Sequence, residues 1–192
     1  MKLPVAGLGT AAAAFGLDQL LKWIVTGPMQ LQSLADPAVD LLPIFRMRFV
    51  ANDGVSLGLL RAGSDEARWA LVAMTGAIAV GVLVWLWREP RRWDQAALGL
   101  VLGGALGNIA DRARLGYVVD YADLHFGDWS PFLVFNLGDA AITIGVIILL
   151  ARAVIIRDKV AERSPAAPVG VPDAALGHER PANAGRMEND DA

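Results

Sequence analysis

Four aspartates stand out by position: Asp18, Asp111, Asp120 and Asp139. Three of them lie within or at the edge of apolar stretches, where a charged group is costly and needs a partner or a purpose. Asp18 and Lys22 are four residues apart, which puts both on one helix face as an ion pair. The bland reading of that pair is packing, with the lysine able to snorkel toward an interface. Asn108 and Asp111, and again Asn136 and Asp139, are three apart, so each asparagine can orient the aspartate beside it on a shared helix. One such pair would be ordinary glue between membrane helices. Two pairs with Asp120 nearby point to a site. Two carboxylates brought together in a poorly solvated place cannot both stay ionised, so one keeps its proton while the other acts as base. Such a pair can activate water against a carbonyl carbon.

Other chemistries find less support. The chain has no cysteine, which excludes thiol nucleophiles and thiolate metal sites. Ser33, Ser56, Ser64, Ser130 and Ser164 all lie outside the apolar stretches, so Lys22 has no serine to activate. His125 is solitary and His178 falls near the C-terminus, so no metal site and no cofactor is expected.

The elements that must hold these residues are legible from hydropathy. Of 192 residues, 55% are apolar, too many for an ordinary soluble domain, and the length favours one bundle. Helices are expected over about 3–26, 68–88, 94–112 and 131–156, long enough or nearly so for a bilayer core about 30 Å thick. The fourth is expected to open at Ser130-Pro131, a cap followed by proline in the first turn. The first could pass for a cleaved leader, but its apolar run continues past Ala11–Ala14 to Asp18 and Lys22, so it is expected to remain. The fold class is therefore an all-α membrane protein, a four-helix bundle with a small extracytoplasmic sheet. The alternation from Phe45 to Phe49 predicts a strand of that sheet.

Basic residues set the orientation. Arg88, Arg91 and Arg92 follow the second helix, and Arg152, Arg157 and Lys159 follow the fourth, which with Lys2 marks that side as cytoplasmic. Both termini then lie inside, and loops 27–67 and 113–130 face outward. The net charge of −3 belongs to the C-terminal tail, and no basic stripe argues for nucleic acid. Residues 157–192, rich in proline, alanine and charge, are expected to form a disordered cytoplasmic tail beyond a membrane domain over 1–156. With this topology Asp18 lies about 11 Å, and Asp139 about 12 Å, below the outer helix ends, a common depth. Gly99, Gly103, Gly104 and Gly107 predict close helix packing, and Trp69, Trp87, Trp93 and Trp129 an interfacial belt.

A proton-coupled transporter would use Asp139 as a relay, and a scaffold would use every Asn/Asp pair as glue. The order of four blocks decides among these readings. They are Asp18-Gln19-Leu20-Leu21-Lys22, Asn52-Asp53-Gly54, Gly103 through Arg112, and Val118-Val119-Asp120-Tyr121 with Phe135 through Ile142. Together they resemble the lipoprotein signal peptidases, or signal peptidase II. The resemblance covers about residues 15–152. It implies an aspartic endopeptidase of the bacterial inner membrane, active toward the periplasmic face. Such an enzyme cleaves lipid-modified prolipoproteins just before the lipidated cysteine and is sensitive to globomycin. It implies Asp120 and Asp139 as catalytic residues. Asn108, Asp111, Arg112 and Asn136 match residues lining or bracing the site, and Asn52 and Gly54 match a loop closing over substrate. Asp18 and Lys22 are kept among the supporting residues. Membrane lipids are the other expected partner, and the enzyme is expected to act as a monomer. Gly138 stands where alanine is usual and Tyr121 where phenylalanine is usual. Val55, Ser56 and Leu57 also depart from the usual pattern, all changes of pocket shape more than of chemistry.

Overall fold

A computed structural model describes residues 3–34, 38–54, 65–127, 129–130 and 132–163, with 156–163 by backbone alone. The expectations placed on Val55–Leu57 and on the chain past Arg163 fall outside the described residues.

The chain forms helix α1 (Val5–Thr26), a short 3-10 turn (Leu31–Ser33), strands β1 (Ala38–Leu42) and β2 (Phe45–Asn52), helices α2 (Asp65–Arg88) and α3 (Arg92–Leu115), strand β3 (Val118–Leu124) and helix α4 (Leu137–Arg163). Asp65 and Glu66 in the first turn of α2, and Arg88 in its last, complement the helix dipole. Gly116, at φ +94°, closes α3 in the left-handed conformation and donates its N–H to the Arg112 carbonyl. α3 is the hub on which α1, α2 and α4 chiefly pack.

Among the described residues, α2 and the Leu137–Ile155 part of α4 are long and apolar enough to cross a bilayer, and most of their surface faces away from the protein interior. α1 and α3 carry the buried charges, Asp18 and Lys22 on one, Asp94 and Asp111 on the other. Ala11, Ala79, Leu86, Leu98 and Leu102 make the core of the bundle. A second core joins the C-terminal end of α1 to the sheet, through Val25, Leu31, Val119, Tyr121 and Ala122. Buried Asp18, Lys22, Asn108, Asp111, Asp120 and Asn136 lie where the two meet.

The sheet has the order β1-β2-β3, antiparallel throughout. The strand expected around Phe45–Phe49 is the middle one. Met47 pairs with Ala122 but Val50 with Asp120, so β2 carries one residue more than β3 there, a bulge beside Asp120.

Three placements differ from the sequence reading. Helix four begins at Leu137, not near Ser130, because Phe135 and Ala122 exchange backbone hydrogen bonds of 3.0 and 2.7 Å that hold the chain extended against β3. Asp139 is thus the third residue of its helix, in the first turn, and not two turns below the outer end. Asp120, expected in a loop, sits on strand β3, all of which is buried or nearly so. At its other end α4 continues to Arg163, past the residue where the tail was expected to begin.

Candidate active site

The first turn of α4 organises the site. A helix start leaves backbone donors without intrahelical partners, and here three side chains take them, from β3, from α1 and from the residue just before the helix. The Leu137 N–H donates to the Tyr121 hydroxyl at 3.2 Å, the Gly138 N–H to Asp18 Oδ1 at 2.8 Å, and the Asp139 N–H to Asn136 Oδ1 at 2.9 Å. Asn136 N–H donates in return to Asp139 Oδ2 at 3.3 Å, making a reciprocal cap of the Asn-x-x-Asp sequence.

Asn136 is fully buried and touches both candidate carboxylates. Its Nδ2 donates to Asp120 Oδ1 at 2.7 Å and to Asn108 Oδ1 at 3.2 Å. Asn108 Nδ2 donates to Asp139 Oδ1 at 2.7 Å, and Asn52 Nδ2, from the end of β2, to Asp120 Oδ2 at 2.8 Å. Asp120 and Asp139 therefore each accept on both oxygens from amide or backbone donors, and one asparagine links them. Burial pushes the Asp120 carboxyl up to about 6, against the amide bonds from Asn52 and Asn136, which pull it down; the Asp139 charge adds to the rise and Lys22 opposes it.

Below this lies an ionic layer. Lys22 Nζ is 2.8 Å from Asp18 Oδ2, 2.8 Å from Asp111 Oδ2 and 3.0 Å from Asn108 Oδ1. All four residues are buried. Asp111 also accepts from Gln19 Nε2 at 3.0 Å and from the Val119 N–H at 3.2 Å, which ties α3 to α1 and to the strand carrying Asp120. The Asp18/Lys22 pair thus braces both Asn108 and the start of α4. Asn108 serves Asp139 on the neighbouring helix, whereas the sequence spacing pointed it at Asp111 on its own.

Gly54, at φ +74°, donates its N–H to Asn52 Oδ1 at 2.8 Å and so fixes the asparagine that reaches Asp120. Arg112 lies under Gly54, half-buried and within electrostatic reach of Asp139, Asp120 and Asp111, and its Nε has no hydrogen-bond partner among the described residues. Every residue singled out in the sequence for the site thus falls in or beside this cluster. Gln19, quoted only as part of a motif, and Tyr121, noted only as a departure in pocket shape, are further members, and only their long-range partners reveal them. Among the described residues no group of three or more histidine or acidic side chains could hold a metal ion.

Asp139 opens onto a cavity of about 380 Å³ lined by Leu124, Phe132, Leu133, Phe135, Ala140 and Ile144. The arrangement is one carboxylate, Asp139, at the head of an apolar pocket, joined through Asn136 to a second, buried one, Asp120.

Apolar outer helices around a buried carboxylate and amide network define an integral membrane protein with a polar centre. Two solved structures share the fold, each described as a bacterial membrane enzyme: one at TM-score 0.65 and 25% identity, covering 77% of this chain and 91% of that one, the other at TM-score 0.65 and 24% identity, covering 85% and 94%. Residues 10–155 match the family of signal peptidase II. The lipoprotein signal peptidase of Rhizorhabdus wittichii is 55% identical over 152 residues, 79% of this chain and 87% of that one. That of Sphingopyxis alaskensis is 50% identical over 153 residues, 80% and 87%. The chain belongs to the signal peptidase II family, and is a peptidase.

Proposed function

We propose that the chain is a membrane aspartic endopeptidase that removes the signal peptide from diacylglyceryl-modified prolipoproteins, cutting immediately before the lipidated cysteine. The observation that carries this reading is Asn136, which hydrogen-bonds Asp120 through its side chain and Asp139 through its backbone N–H. Asp120, buried and raised to about 6, holds the proton; Asp139, at a helix N-terminus that favours negative charge, is the base.

In the proposed reaction Asp139 takes a proton from water, and the hydroxide adds to the scissile carbonyl carbon while Asp120 protonates the carbonyl oxygen. On collapse of the diol the C–N bond breaks, the new amine receives the proton from Asp139, and a diol hydroxyl returns one to Asp120. Water is regenerated nowhere: one molecule is consumed per bond. Asn52, Asn108 and Asn136 hold the two carboxylates, and Lys22, paired with Asp18 and Asp111, holds Asn108. Arg112 and Gly54 lie at the rim.

The same reading takes all four helices through the inner membrane with both termini cytoplasmic. α1 and α3 would cross with their charges turned into the bundle, as the mutual pairing of Lys22, Asp18 and Asp111 allows. The site then faces the periplasmic side, where a lipid-anchored substrate arrives laterally.

The test uses membranes carrying Asp120→Asn or Asp139→Asn protein and a lipidated precursor. Either substitution is expected to lower cleavage by at least about a hundredfold, the scale of one acid-base group. Near-normal cleavage by either variant refutes the pair, as would cleavage unaffected by globomycin for the family-level reading of the pocket.

A further inference from the structure

The helices are not the only apolar surface that the protein presents. At the tip of the β1–β2 hairpin Leu41, Leu42 and Ile44 flank Pro43 and are all exposed, Leu42 to 58%. The loop after β3 exposes Phe126, Trp129, Phe132 and Leu133, the last to 89%. These two segments are one patch, because the His125 N–H donates to the Ile44 carbonyl at 3.1 Å and Phe45 pairs with Leu124. Exposed apolar patches of this kind mark an interaction surface.

What covers it follows from what it joins. Phe132 and Leu133 line the same cavity as Ala140 and Ile144 of α4, so the patch runs without a break into the outward apolar face of a helix fit to cross a bilayer. The patch is rich in aromatic rings, with the centroids of Phe126 and Trp129 5.9 Å apart, the composition found where a protein meets the headgroup boundary. Its backbone is also prepared for a dry setting. Phe126 and Trp129 exchange N–H to carbonyl bonds of 2.8 and 3.3 Å, with Gly127 at φ +64° making the turn, so these donors need no water. We infer that the hairpin tip, with Phe126, Trp129, Phe132 and Leu133, forms a second, interfacial membrane contact, seated among the lipids of the leaflet into which α4 runs.

This contact pins the sheet, and with it Asp120 and Asn52, to the bilayer surface beside the apolar mouth of the cavity at Asp139. A ligand anchored in that leaflet then enters the cavity without its acyl chains crossing water. That consequence rests on the proposed peptidase reading; the lipid contact itself does not.

The chain has no cysteine, so a single one can be introduced at Leu42 and labelled with bimane. Ala51→Cys, exposed at the far end of β2, serves as control. The labelled proteins go into phosphatidylethanolamine and phosphatidylglycerol vesicles containing lipids with nitroxides at graded depths. The label at residue 42 is expected to emit at shorter wavelength and to be quenched most by shallow nitroxides, while that at 51 emits as in water. A water-like, unquenched label at 42 overturns the inference. So does a blue-shifted label that no lipid quenches, which would mean that protein covers the patch. In a second arm Leu41, Leu42 and Ile44 are changed together to serine. KM for a lipidated precursor should rise several-fold in vesicles with kcat unchanged, and the difference should vanish in detergent micelles. Loss of activity in both settings would mean that the tip matters only for folding and would overturn the proposed role in delivery, whatever the fluorescence shows.

Discussion

Asn136 makes the site cooperative at the scale of one residue. It caps α4, receives the N–H of Asp139, donates to Asp120 and bonds Asn108, with no exposure to solvent. Its neighbours give finer tests. Asn52 stabilises the charged form of Asp120, so removing its amide should raise the Asp120 pKa. If the productive enzyme carries its proton on Asp120, kcat/KM falls as pH rises through that value, about 6 in the intact protein. Asn52→Ala should therefore move the falling limb upward by about 0.7 unit, the equivalent of a hydrogen bond worth about 1 kcal/mol. A limb that stays put or moves down would contradict the assignment of the proton. Tyr121→Phe removes the acceptor of the Leu137 N–H. It should cost about 1 kcal/mol of stability, seen as a lower Tm, with a smaller loss of kcat as the first turn of α4 loosens. An unchanged Tm would deny the hydroxyl that role.

At the scale of elements, α3 explains the rest. Gly99, Gly103 and Gly107 recur every four residues on the face toward α1, and a Cβ at Gly99 or Gly103 would run into the carbonyl of Gly7 or Ala11. Gly104 makes the same close approach to the Gly138 carbonyl on α4. Gly107 has a different reason: its missing side chain makes the space for the Asp18 carboxylate. Gly107→Ala should push Asp18 off Lys22 and the Gly138 N–H, lowering both Tm and the cleavage rate. Gly16→Ala, two residues from Asp18 but with nothing within 4 Å of the added carbon, should be tolerated. Equal damage from both would show that α1 is sensitive for another reason. Gly138 has three close neighbours, Asn136 Oδ1, the Gly104 carbonyl and Asp18 Oδ1, at 3.0, 3.0 and 3.2 Å from an added Cβ. The glycine at that position is thus matched to how near α3 and α4 come beside the site.

Across the whole molecule the polar centre is balanced by an ion pair at the opposite end of the bundle. Arg152 on α4 forks onto Asp94 at the start of α3, with Arg91 3.9 Å away. Asp94 is 6% exposed, so removing its partner strands a buried charge. Because the Arg152 side chain keeps 31% of its exposure, water offsets part of the loss. Arg152→Ala should lower Tm while leaving KM and kcat of the folded protein unchanged. Pairing it with Asp94→Asn should restore part of that stability. A change in KM from Arg152→Ala alone would mean that the two ends of the bundle are coupled.

Local physics made much of this legible beforehand. Hydropathy marked the positions of the helices, because a run of apolar residues carries its own reason to leave water, and alternation marked β2 for the same reason. The types and order of Asp18, Lys22, Asn108, Asp111, Asp120, Asn136 and Asp139 announced one polar cluster, since buried charges need partners. Tertiary structure decided who partners whom. Nothing local says that Phe135 pairs with Ala122, and that pairing, not the proline signal upstream, sets where α4 begins and puts Asp139 in its first turn. Nor does spacing turn Asn108 toward another helix, gather Asp18, Asp111 and Asn108 around Lys22, or bring the Tyr121 hydroxyl to a helix end. Those choices depend on how closely glycine lets α1, α3 and α4 approach, and on the bulge in β2 beside Asp120. Such distances exist only once segments far apart in sequence have packed.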